Sequence, residues 1–182
     1  NEASVRLLAR HGCEVVVAKG AACCGALSLH QGERATAQSF ARGNVEAFLA
    51  EHRRAPLDAV VANASGCGTM LKDYGELFRE DSVLSENAAE VAGLARDISE
   101  VLTDLQPLKP VGLANLRVAY HGACSLQHGQ KIHNAPQDLL AEAGFEVCEP
   151  IDGHLCCGSA GTYNILQPEL AESMLARKIA TL

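Results

Sequence analysis

The sequence contains no tryptophan, four phenylalanines and three tyrosines among its 182 residues. So few aromatic rings leave little for base stacking, and basic residues are also scarce. Lys and Arg number 15 against 22 Asp and Glu, a formal net charge of −7. Such a chain is poorly suited to nucleic acid, which rewards positive charge and stacking platforms. Long apolar runs are missing as well: none approaches the ~20 residues that a membrane-spanning helix needs. No basic segment followed by an apolar stretch marks a signal peptide, so the chain reads as cytoplasmic. What remains is 48% hydrophobic and 20% charged, enough apolar material for a packed core.

The excess lies in cysteine. Eight are present, at positions 13, 23, 24, 67, 124, 148, 156 and 157. Disulfides are the staples of small secreted scaffolds that lack a core, and this composition supplies a core without them. Reduced thiols or metal ligands are therefore expected. Initiator methionine is also absent, and the last residues read as helix; both suggest an excerpt from a longer protein.

Hydrophobic periodicity alternates between helix and strand along the chain. Residues 4–10 pattern as a helix ending at Gly12, followed by a buried strand over 14–17. A small-residue loop carrying Cys23-Cys24-Gly25 precedes a long helix over 33–51. A strand at 58–63 exits through Ser65-Gly66-Cys67-Gly68 into a helix marked by Met70, Leu71, Tyr74, Leu77 and Phe78. One further helix is predicted over 86–104. Two prolines and a glycine in residues 106–112 deny any regular element there and read as a linker. Beyond it come a strand at 116–120, a loop to 129 and a helix near 136–143. A strand at 145–149, a loop to 161 and a helix opened by Pro168 at its first position complete the order. This alternation predicts an α/β fold with parallel sheets.

The two halves repeat. Residues 7–15 align with residues 139–147, and Cys23-Cys24-Gly25 aligns with Cys156-Cys157-Gly158, one inserted residue reconciling the two offsets. The expected division is a first repeat over 1–105, a linker over 106–114 and a second repeat over 115–182. Carried through this repeat, the counterpart of Cys124 falls before Asn1 and that of Cys67 falls after Leu182. The expectation is thus a duplicated four-cysteine domain, truncated at both chain ends, with three cysteines of each set present.

Both Cys-Cys-Gly triplets follow a predicted strand, the edge at which open α/β sheets place ligands. Adjacent cysteines close too small a ring for good disulfide geometry. Two neighbouring thiolates can instead grip different iron atoms of one cluster, with small residues around them leaving room and N–H groups free for its sulfurs. Cys67 and Cys124 occupy two more loops after strands, so the candidate ligands are Cys23, Cys24, Cys67, Cys124, Cys156 and Cys157. Cys13 and Cys148 have no repeat partner and read as structural, and His121, His128 and His154 as hydrogen-bonding residues at the loop edges.

Rival chemistries fit less well. Zinc modules bring cysteines in short knuckles rather than adjacent pairs at long spacing. Thioredoxin-like exchange needs a Cys-x-x-Cys that the chain lacks. Gly66-Cys67-Gly68 is only a partial dinucleotide fingerprint, with Leu71 at its third glycine position. No Gly-x-Ser-x-Gly marks a serine hydrolase.

The stretches Cys23-Cys24-Gly25-Ala26-Leu27-Ser28-Leu29-His30, Ala64-Ser65-Gly66-Cys67-Gly68, Cys124-Ser125-Leu126-Gln127-His128 and His154-Leu155-Cys156-Cys157-Gly158-Ser159-Ala160-Gly161-Thr162-Tyr163 carry a resemblance. Together they resemble the cysteine-rich CCG domain pair of heterodisulfide reductase B-type subunits, and within that family the iron–sulfur subunits of bacterial glycolate oxidases. The resemblance implies an iron–sulfur cluster, [4Fe-4S] in type, in an electron-transfer subunit of an oxidoreductase. A separate flavin subunit would oxidise glycolate to glyoxylate, and electrons would pass toward a quinone, with peripheral association at the inner face of the plasma membrane. Related lactate, glycerol-3-phosphate or heterodisulfide oxidoreductases are the alternative within the family, and a zinc-binding structural module is the alternative outside it. Ala64 stands where the family's last motif has its first cysteine, which favours a four-thiolate site over a five-cysteine one. The family also implies two ferredoxin-like cysteine runs upstream, which this sequence does not contain.

Overall fold

The computed structural model describes residues 1–105 and 116–181. The chain divides into two compact units, Asn1–Leu105 and Gln106–Leu182. The linker expected over 106–114 lies outside the described residues.

The first unit opens with helix α1 (Glu2–Arg10), whose C-terminal turn leads to Gly12 in the left-handed region. A short helix α2 (Ala26–His30) follows the first cysteine pair and leads to the long α3 (Arg34–Arg54). Then come strand β1 (Val60–Ala62), helices α4 (Ser65–Lys72), α5 (Tyr74–Leu77) and α6 (Ser85–Leu94), strand β2 (Ala95–Asp97) and helix α7 (Ile98–Asp104). Ala37, Ala41, Val45 and Leu49 recur every fourth residue and form the buried stripe of α3. They share one core with Val60, Ala62, Leu71, Tyr74, Phe78 and Val91. Tyr74 and Phe78 are fully buried, each contributing on the order of 2–3 kcal/mol through area removed from water.

β1 and β2 pair in parallel, Val60 opposite Ala95 and Ala62 opposite Asp97. The sequence predicted one helix through 86–104; in the structure it is interrupted by β2. The reason is local. Asp97 accepts a hydrogen bond from the Ser99 N–H at 2.9 Å, and Glu100 accepts from the Asp97 N–H at 2.8 Å. This capping box starts a new helix where the apolar spacing alone continues the old one.

A second difference lies at 14–17, expected as a buried strand. The segment is irregular, with Val17 81% exposed. A strand needs a neighbour to satisfy its backbone groups. β1 is paired with β2, and no strand of the described residues lies in register with 14–17. Its repeat counterpart in the second unit does have such a neighbour.

In the second unit, strand β3 (Arg117–Ala119) pairs in parallel with β4 (Glu146–Cys148), Val118 opposite Val147. Between them lie a π-helical turn (Ser125–Gly129) and helix α8 (Ala135–Glu142). After the second cysteine pair come α9 (Tyr163–Leu166) and α10 (Pro168–Ile179), with Pro168 in its first turn as predicted. The architecture is the expected α/β class with small parallel sheets and two similar halves. In each half a helix (α1 or α8) precedes the Cys-Cys-Gly loop, and a longer helix (α3 or α10) follows it.

Candidate metal centre

All eight cysteines are free thiols. The two Cys-Cys-Gly loops are built alike. Gly25 and Gly158 have φ of +87° and +88°, a left-handed conformation that favours glycine. A Cβ at Gly25 would stand 2.7 Å from the Ala37 carbonyl oxygen on α3, and a Cβ at Gly158 would collide with the Ala171 carbonyl on α10. Each glycine therefore lets its loop lie directly on a helix backbone. In each loop the glycine N–H points at the first cysteine's Sγ, at 3.5 Å for Cys23 and 3.3 Å for Cys156.

In the first unit the structure brings three predicted residues together. Cys23 is exposed, Cys24 is buried, and the Cys24 thiol neighbours Cys67 in the first turn of α4. Burial pushes the Cys24 thiol up to about 12; the Ala26 N–H pulls against this, and the neighbouring Cys67 and Cys23 add to it.

Two residues that the sequence did not single out hold this loop. Asn44, 2% exposed, accepts from the Ala22 N–H at 2.8 Å and donates to the Cys23 carbonyl at 3.0 Å. It also donates to the Tyr74 hydroxyl at 3.0 Å, and that hydroxyl donates to the Cys24 carbonyl at 3.0 Å. Burial raises Tyr74 to about 12, Asn44 opposing and the three thiols reinforcing. A signal was present: Asn44 falls on the apolar stripe of α3, where a polar side chain needs a partner.

In the second unit Cys124 is exposed and immediately precedes the π-helical turn, while Cys156 is exposed and Cys157 half-buried. Gln127 of that turn donates to the Gly122 carbonyl at 2.7 Å, folding the Cys124 loop back on itself. Beneath the Cys156–Cys157 loop lies Lys178 of α10, 5% exposed, its Nζ donating to the carbonyls of Asp152 at 2.8 Å and Gly153 at 3.3 Å. Among the described residues, no three His, Cys, Asp or Glu side chains stand close enough together to hold a single metal ion.

Of the two cysteines read as structural, Cys13 is half-buried just after α1. Cys148 ends β4 and accepts from the Arg117 guanidinium at 3.4 Å. A concavity of about 530 Å³ in the first unit is lined by Arg34, Asp73, Glu76 and Arg79 among others and holds no cysteine.

Repeated thiol-pair loops on a parallel α/β framework define a class. The chain belongs to the CCG cysteine-rich domain family, whose model matches residues 1–72 and 118–182. Among curated proteins it is 36% identical over its whole length to the glycolate oxidase iron-sulfur subunit of Escherichia coli (strain K12), covering 44% of that protein. It is 37% identical to the probable glycolate oxidase iron-sulfur subunit of Bacillus subtilis (strain 168), with 99% of this chain and 40% of the relative aligned. It is 28% identical to lactate utilization protein A of Shouchella clausii (strain KSM-K16), with 97% of this chain and 72% of the relative aligned. The chain thus spans less than half the length of the two glycolate oxidase subunits. No helix among the described residues is long and apolar enough to cross a membrane.

Proposed function

We propose that this chain is the thiol-rich part of an iron–sulfur electron-transfer subunit in an oxidoreductase that oxidises a 2-hydroxy acid, glycolate in the first instance. Cys23, Cys24 and Cys67 supply ligands at one site, and Cys124, Cys156 and Cys157 at the other, each for a [4Fe-4S] cluster. The observation that carries the reading is the duplication of one loop geometry. Both Cys-Cys-Gly turns share the same backbone conformation, the same seat on a following helix and the same N–H contact to the first sulfur.

The donor chemistry fits. The candidate donors are all cysteine sulfur, the ligand type that holds iron–sulfur clusters. The Gly25 and Gly158 N–H groups stand ready for sulfur, and Asn44 and Tyr74 fix the backbone that presents Cys23 and Cys24. Such a cluster, when bound, supplies one-electron transfer. Oxidation of glycolate to glyoxylate releases two electrons and two protons. In this reading that step belongs to a flavin-binding subunit of the same complex, and this chain's site relays the electrons toward a quinone-linked acceptor. The complex works in the cytoplasm, peripheral to the inner face of the plasma membrane. The likeness to lactate utilization protein A favours a second reading, in which the acid is lactate.

The test is iron and acid-labile sulfide per full-length chain after anaerobic purification, with a visible spectrum. Matching iron and sulfide with broad charge-transfer absorption, reduced by Cys24→Ala and by Cys157→Ala, is the expected result. Stoichiometric zinc, or iron that survives both substitutions, would overturn the assignment. Glycolate and lactate offered to the assembled complex then decide the substrate.

A further inference from the structure

The glycine contacts fix a structural equivalence finer than the sequence alignment. Gly25 rests on Ala37 and Gly158 rests on Ala171. Seven residues further on, two helical turns along the same face, stand Asn44 on α3 and Lys178 on α10. Both are buried polar residues in helices otherwise buried through apolar side chains, and both reach up to the loop that carries their cysteine pair. One is neutral. The other is a cation.

The cation is costly where it stands. Lys178 is 5% exposed, and among the described residues it meets only the Asp152 and Gly153 carbonyls. The nearby Asp152 carboxylate is engaged at 3.0 Å by Arg177. Charges almost never lie buried without a compensating partner. Carbonyl dipoles compensate part of an ammonium's lost hydration, not its charge. Lys178 borders a cavity of about 210 Å³ together with Cys156, Leu155, Met174, Asp152 and Arg177. With the Asp152 carboxylate taken up by Arg177, the Cys156 thiolate is the other anionic group of that lining. His121 also feels the lysine's field, and its Nδ1 is buried without a hydrogen-bond partner.

We propose that Lys178 is the built-in counter-cation of the thiolate-bound group at Cys156 and Cys157, and that it raises the reduction potential of that site. The proposal rests on the iron–sulfur reading above. Each thiolate ligand brings a negative charge, and reduction adds another. A buried ammonium that shares a cavity lining with Cys156 favours the more negative state. The equivalent place under Cys23 and Cys24 holds Asn44, which orders the loop without adding charge. The duplication has therefore produced two thiol sites with different electrostatics, and Lys178 is a positioning residue that acts through charge.

The experiment uses the full-length protein, reconstituted anaerobically with iron and sulfide in a Cys24→Ser background so that the second site dominates the signal. Iron and sulfide content is measured first, then the midpoint potential by redox titration followed by electron paramagnetic resonance. Lys178→Gln keeps donors for the two carbonyls and removes the charge. It is expected to shift the reduction equilibrium at least tenfold toward the oxidised form, about 59 mV for one electron, while Lys178→Arg holds the wild-type value. A loaded Lys178→Gln protein with unchanged potential overturns this proposal and leaves the cluster assignment standing. Absence of iron and sulfide from the second site in the Lys178 protein overturns both. Where Lys178→Gln takes up no iron, Lys178→Arg and Lys178→Met decide. Loading by Arg and not by Met supports the counter-cation; loading by Met at the parental potential, or by neither, overturns it.

Discussion

The loops at Cys23-Cys24-Gly25 and Cys156-Cys157-Gly158 share a backbone and differ in what lies beneath them. The first is tied down by neutral groups: Asn44 and Tyr74 together satisfy the Ala22 N–H and the Cys23 and Cys24 carbonyls. The second sits above Lys178, which holds the Asp152 and Gly153 carbonyls upstream of the cysteines and leaves a cavity beside Cys156. The glycine seat and the glycine N–H contact to the first sulfur are common to both. The seat is thus the invariant part of the design, and the residue two turns along the supporting helix is the part that varies.

The largest expected effect attacks the shared part. Gly25→Ala must place a Cβ against the Ala37 backbone at a left-handed φ, and Gly158→Ala must do the same against Ala171. Backbone cannot yield as a side-chain tip can. Each substitution is expected to cost about 2–4 kcal/mol and to loosen its own unit alone. Chemical denaturation followed by hydrogen exchange in the two units checks this. Equal loosening of both units by either variant breaks the idea that each loop is seated independently.

A smaller effect separates the variable parts. Asn44→Ala removes the side chain that holds the Ala22 N–H, the Cys23 carbonyl and the buried Tyr74 hydroxyl, for a loss of about 1–3 kcal/mol in the metal-free protein. Tyr74→Phe removes one hydroxyl and is expected to cost about 1 kcal/mol. Lys178→Met also frees two carbonyls, but it relieves a buried charge, so the metal-free protein should stay within about 1 kcal/mol of wild type or gain. Thermal midpoints of the three metal-free variants give the comparison. Should Lys178→Met lose as much as Asn44→Ala, the lysine is a brace of the same kind and the two loops are alike after all.

What the sequence made legible follows from what local physics decides. The duplicated loop, the helix opened by Pro168 and the α/β alternation all come from short-range patterns, and they appear in the structure. Tertiary partners were the blind spot. Residues 14–17 have the β-branched run of a buried strand, yet pairing, not propensity, makes a strand. The break in 86–104 was written in Asp97 and Glu100, and the steady apolar spacing of Val91, Leu94, Ala95, Ile98 and Leu102 concealed it. Asn44 was findable as a polar residue on an apolar stripe. Lys178 was hidden by its address, since a basic residue in the last turn of a helix normally answers the helix dipole from the surface. Nothing short of the fold shows that this one is buried.

The smallest effect is in pH, and it orders the two units. Glu100 lies below the ordinary carboxylate range: burial pushes it up, but the Lys72 ammonium at 2.6 Å and the Asp97 N–H outweigh that. Asp81 is held low by Arg42 and by the N–H groups of Val83 and Leu84. Both belong to the first unit. A carboxyl held low when folded contributes stability that is present above its unfolded value, about 4, and is lost as pH falls through the folded value. His121, in the second unit, is held low by burial and by Lys178. Unfolded, it binds a proton from about pH 6.5 downward, while the folded imidazole resists, so this stability is lost at higher pH than the carboxylates' share. On acidification the second unit should soften first, beginning near pH 6, and the first unit should follow below about 4. Hydrogen exchange in each unit between pH 7 and 3 measures the order. His121→Asn should remove the early step, and Lys178→Met should shrink it, because removing the lysine's field lets the folded imidazole accept its proton sooner. An early step that survives both changes would place its origin outside the lysine–histidine pair.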